Sequence, residues 1–180
     1  MRRATISGAL AEKTARKRPF AQIELSLASL HAGDGEWSIA YVKRVEENYA
    51  KIRRGVRWTY ERACQEMLFY NALYLKDLTR VAECFEKMRR IIAENASGTL
   101  ENYQYALRVA SGNYDGAETY YLIRLDSATR MLDRVVISWI LGDLYKKLNQ
   151  PEKSREYLEF VIQNGNTTRY VTQAKALLQD

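Results

Sequence analysis

Acid–base or nucleophilic chemistry in this chain would have to come from one histidine and two cysteines: His31, Cys64 and Cys84. A general base needs a partner within hydrogen-bond reach. His31 has no carboxylate or thiol close by in sequence, and it stands beside Ala32-Gly33, where a helix is expected to end. The two cysteines form no C-x-x-C pair and no cluster with histidine, so neither a zinc site nor a dithiol redox centre has a motif here. On an apolar helix face a cysteine is a small core group. Both are expected to be reduced and packed, as thiols are in a cytosolic-type compartment. A glycine-rich phosphate loop, H-E-x-x-H, G-x-S-x-G and a spaced acidic calcium loop are all missing from the sequence. These residues predict no enzyme, no metal and no cofactor.

Binding chemistry has more to work with. The net charge of +6 is concentrated. Arg2, Arg3, Lys13, Arg16, Lys17 and Arg18 against Glu12 give residues 1–18 a charge of +5, and Lys43 to Arg62 holds seven Lys or Arg against three Glu. Within that second stretch Lys51, Arg53, Arg54 and Arg57 surround Trp58 and would contact the phosphates of a nucleic acid or an anionic lipid, with a steep salt dependence. The bland counterpart is a charged, solvated helix face beside Glu46, Glu47 and Glu61. Residues 1–18 read as a targeting leader, a polyanion contact or a solvated N-terminal helix, and they lack the apolar run of a secretory signal. Thirteen tyrosines, several of them central (Tyr70, Tyr74, Tyr103, Tyr105, Tyr120, Tyr121), supply packing groups with a wet hydroxyl, or aromatic anchors for a partner.

The elements that position these groups read as helix after helix. Two prolines and nine glycines leave long uninterrupted stretches, and apolar residues recur at three- and four-residue steps. The spacing predicts a helix over 20–31, a long one over 36–54 stopped by Gly55, and another over 56–75. Asp77 then caps a helix over 78–94 whose buried face is Val81, Phe85, Met88 and Ile92. Further helices follow over 99–111, 114–125 and 129–148, then from Pro151 to Gln163, and last to about Gln179. The longest near-apolar run, Val135 to Leu141, is far short of the ~20 residues of a membrane span.

A pattern returns within this series: Leu78-x-x-Val81-x-x-x-Phe85, Tyr114-x-x-Ala117-x-x-x-Tyr121 and Pro151-x-x-Ser154-x-x-x-Leu158, at steps of 36 and 37 residues. Such a period marks helical hairpins that bury their apolar faces by stacking on neighbours. Residues 138–161 resemble the tetratricopeptide repeat: Leu141-Gly142, Tyr145, Asn149, Ser154, Leu158 and Val161 fall where that family has Leu-Gly, Tyr, Gly, Ala, Phe and Ala. Gly112, Tyr114, Ala117 and Tyr121 match a second copy, and Leu68, Leu78, Val81, Phe85 and Met88 a looser third. Gly35, Trp37 and Ala40 suggest a fourth. The chain departs from the family where Phe69 and Tyr105 stand in for Gly142, and where Ala93, Thr129 and Asn166 replace the closing proline.

The resemblance implies an all-α, right-handed superhelical stack of antiparallel hairpins (a tetratricopeptide-like α-solenoid). Its hairpins span about 20–54, 56–95, 99–127 and 129–164, with a C-terminal capping helix over 167–179 and a basic leader over 1–19. It also implies a concave face lined by the first helix of each hairpin, at Glu66, Tyr70, Tyr74, Asn102, Trp139, Asp143 and Lys146. Glu66, Tyr70 and Trp139 do not fit the family's clamp for a C-terminal carboxylate. The function expected is a cytoplasmic, non-catalytic scaffold that holds a peptide or protein segment. The alternative is a basic accessory factor binding nucleic acid or an anionic membrane surface through residues 1–18 and 43–62.

Overall fold

Turn residues divide the chain into short helices whose ends are closed by local hydrogen bonds. A computed structural model describes residues 19–95 and 99–179, and its described residues form nine α-helices with no strand. They are α1 (Pro19–Ala32), α2 (Gly35–Glu46), α3 (Arg54–Tyr74), α4 (Leu78–Asn95), α5 (Glu101–Ala110), α6 (Ala117–Ser127), α7 (Met131–Lys147), α8 (Pro151–Asn164) and α9 (Arg169–Gln179), with a 3-10 turn at Tyr49–Lys51. The expected leader at 1–18 lies outside the described residues. No helix among those described is long and apolar enough to cross a membrane.

The helix caps follow the sequence closely. Asp34 accepts the Trp37 N–H at 3.1 Å and opens α2, and Asp77 accepts the Arg80 N–H at 3.0 Å and opens α4. Between α7 and α8, Asn149 takes a left-handed φ of 56° and Gln150 N–H donates to Tyr145 O at 2.9 Å. Pro151 then occupies the first turn of α8, where its missing N–H costs nothing.

The chain divides into two compact units. One runs up to Leu30 and resumes over Asp34–Gln104; the other holds His31–Gly33 and the chain from Tyr105 onward. In the first unit Leu30, Val42, Val45, Ile52, Cys64 and Met67 form a core, with Ile23, Leu27 and Tyr49 packed on it. The α3–α4 hairpin closes over Val81, Cys84, Met88 and Ile92, all buried, while Phe85 is only half-buried. Phe69, standing where the repeat calls for a small residue, is wholly buried, edge-on to Tyr70 and Tyr103.

In the second unit Ala117, Tyr121, Ile137, Leu141, Leu144 and Tyr145 form one cluster, and Val135, Leu158, Val161, Tyr170 and Ala174 another. The contact that joins α7 to α8 depends on a missing side chain. A Cβ on Gly142 would lie 2.6 Å from Leu158 Cδ2, and Ser154 Oγ donates to Gly142 O at 2.8 Å. Ala117 and Ser154, the small residues of the repeat pattern, are both buried. Tyr105, bulky where the pattern wants glycine, stacks on Tyr120 at 4.1 Å instead.

Two expectations for residues 36–55 change. The helix predicted over 36–54 breaks at Glu46: a 3-10 turn follows, and extended backbone at Ile52 (φ −81°, ψ 133°) sends that side chain into the core. Gly55 stops nothing; α3 begins at Arg54, so Gly55 lies in its first turn.

Candidate functional site

Glu66, Tyr70 and Tyr74 recur every four residues and so share one face of α3. The Tyr103 hydroxyl donates to the Glu66 carboxylate, yet burial outweighs that bond and holds the carboxyl above its usual pKa, with Arg62 opposing. One turn on, Asn102 Nδ2 donates to the Tyr70 hydroxyl at 2.8 Å. The Tyr70 and Tyr103 rings lie 6.1 Å apart. The structure therefore bonds Tyr70 to Asn102, and Glu66 to Tyr103 rather than to either of them. Tyr74 is 40% exposed at the helix end.

Trp139, Asp143 and Lys146 share a face of α7 in the second unit. Trp139 packs on Tyr170 of α9 with ring centroids 5.5 Å apart, and its buried Nε1 meets no acceptor. Lys146 Nζ donates to Leu177 O at 2.6 Å, a cation on the carbonyl end of α9. Asp143 pairs with Lys147 at 2.8 Å. Helix α9 thus covers Trp139 and Lys146.

The reactive groups are quiet. Cys64 is fully buried beside the Tyr49 hydroxyl, and desolvation pushes its thiol to about 11, where almost none is thiolate at neutral pH. Burial also raises Cys84. His31 Nδ1 lies 3.0 Å from the Tyr170 hydroxyl, and burial, with Arg169 adding to it, lowers the ring's pKa and favours the neutral form. Among the described residues no group of three His, Cys, Asp or Glu is placed to hold a metal ion.

Several features escaped the sequence reading. Ser26 Oγ donates to Ser38 O at 2.9 Å, and Asn71 Nδ2 donates to Ser38 Oγ at 2.9 Å, joining α1, α2 and α3 through buried polar groups. The only signal was that small polar residues occupy core-facing positions of an apolar period. Glu118 accepts from the Tyr145 hydroxyl at 2.9 Å and from Lys153 at 3.3 Å, tying α6 to the α7–α8 hairpin. The Tyr145 bond, helped by Lys153, lowers the Glu118 pKa.

At the tip of the α3–α4 hairpin Tyr74, Leu75 (63%) and Leu78 (42%) are exposed. An open groove of about 350 Å³ runs between the two helices, lined by Gln65, Leu68, Asp77, Arg80, Glu83 and Lys87. Lys51, Arg53 and Arg54 are exposed and Arg57 is half-buried, all gathered around the start of α3. No model of a known protein family, no curated protein and no solved structure matched this chain in comparison.

Proposed function

We propose that this chain is a non-catalytic interaction module. Its helices continue as a tetratricopeptide-like superhelical stack, and the α3–α4 hairpin holds a peptide or protein segment. The observation that carries the reading is the hairpin tip. Tyr74, Leu75 and Leu78 stand in water, although α3 and α4 bury apolar residues elsewhere along their length. Clustered exposed apolar side chains beside a groove with charged walls are the ordinary make-up of a partner surface.

The placement of the expected concave residues supports a revised partner surface. Glu66 is bonded to Tyr103, Tyr70 is bonded to Asn102, and α9 covers Trp139 and Lys146, which leaves Tyr74 as the expected position best exposed to a partner. The raised thiols and the neutral-leaning, hydrogen-bonded His31 support a role without covalent or acid–base chemistry.

The test is a pair of baits, the native chain and Leu75→Asp/Leu78→Asp. Both positions are exposed, so helical content and thermal midpoint should be retained. Proteins enriched on the native bait should disappear from the double variant in quantitative mass spectrometry. An identical set of captured proteins on both baits would remove the hairpin tip from the interaction.

A further inference from the structure

The geometry points to a second binding surface, a sequence-independent seat for the phosphate backbone of a nucleic acid, made by Lys51, Arg53, Arg54 and Arg57. Its shape follows from the break between α2 and α3. Ile52 is anchored in the first unit's core by extended backbone, and in extended backbone neighbouring side chains alternate sides. Arg53, next to Ile52 in that backbone, and Lys51, the last residue of the 3-10 turn, are both exposed. Arg54 and Arg57 follow in the first turn of α3, three residues apart and so on one side of the helix.

None of these four cations meets a carboxylate among the described residues. Lys51 Nζ donates to Asn48 Oδ1 at 2.9 Å, and Arg57 Nη2 reaches Ile52 O at 3.4 Å while Arg57 Nε is buried without an acceptor. The first turn of α3 holds no acid, and Arg53 at the cap position makes no capping bond. Four like charges thus gather at a helix start, whose field also favours an anion, with Glu46, Glu47 and Glu61 the acids of the same stretch. Guanidinium groups present paired N–H donors that match phosphate oxygens.

The alternative polyanion, a membrane, also needs apolar groups to enter the interface. Between residues 43 and 62 the single large apolar side chain that is exposed is Val56, at 45%. That is too little for insertion, whereas phosphate pairing along a strand needs no apolar contribution.

The experiment measures binding of a fluorescent oligouridylate by the full chain across a salt series, against the variant Arg53→Glu/Arg54→Glu and the control Arg155→Glu. Arg155 is an exposed cation of α8. The cations at 1–18 are present in all three proteins, so the difference between them reports this surface. At ~0.7 per phosphate for a single strand, losing two contacts should flatten the slope of log K against log salt by roughly 1.4, and reversal should lower affinity at least ten-fold at low salt. The control should stay within two-fold of the native chain. Equal affinity and slope in the double variant would overturn the proposal. So would binding to phosphatidylserine vesicles with none to the oligonucleotide. Unchanged circular dichroism in the variant separates lost contacts from lost fold.

Discussion

Gly142 shows how much of this structure rests on a single missing methyl group. Its Cα faces Leu158, which is wholly buried, and a methyl there would sit within 2.7 Å of two Leu158 carbons. Gly142→Ala gains helix propensity but must push α8 outward. The expected net loss is ~1–3 kcal/mol in urea unfolding, with Ser154→Ala costing ~1 kcal/mol through the bond to Gly142 O. A Gly142→Ala chain as stable as the native one would show that the two helices are not held at this distance. Glu66 gives a pH signature. Its carboxyl titrates above 4.5 in the folded state, so the folded chain holds a proton that the unfolded chain releases first. The contribution of this group therefore falls as pH rises from about 4.5 through its folded value. Glu66→Gln should flatten that decline in a pH series of thermal midpoints; an unaltered pH profile would contradict it. Gly142 and Ser154 were legible because the repeat spacing requires small residues there. The Ser26–Ser38–Asn71 bonds were not, because polar residues on a helix read as solvated until the facing elements are known.

Helix ends were the most legible elements. Asp77 and Pro151 announced helix starts by their chemistry, and the structure begins a helix at each. Asp77→Ala should cost ~1 kcal/mol and lower protection of the first turn of α4 in hydrogen exchange. Protection equal to the native chain would mean that the side-chain bond contributes nothing. The break after Glu46 was not legible, since apolar spacing ran on through Tyr49 and Ile52 as if one helix continued. Tertiary packing decided it: Ile52 reaches the core only if the backbone leaves the helical path, and the price is an α3 start crowded with cations. Gly55 misled for a related reason. Glycine favours a helix end, but the helix it borders here is the one that begins.

Across the whole molecule the burial is uneven. Helix α7 buries seven residues, Val135 to Tyr145, whereas α5 buries Tyr103 alone. Hydrogen exchange should therefore find the slowest amides in α7 and α8 and much faster ones in α5; the reverse order would contradict this reading of the core. An all-helical chain was legible because apolar residues recur at three- and four-residue steps with few prolines or glycines to interrupt them. The proposed partner surface was less so. The concave positions were drawn from the family pattern, and that pattern does not specify that α5 and α9 would be bonded onto them. The partner surface proposed here is the α3–α4 tip. A photo-crosslinking amino acid at position 75, with position 155 as the comparison, tests this most directly in cells that make the chain natively. The account predicts a discrete protein adduct from position 75 and none from 155. Adducts absent from 75, or equal at both positions, would contradict it.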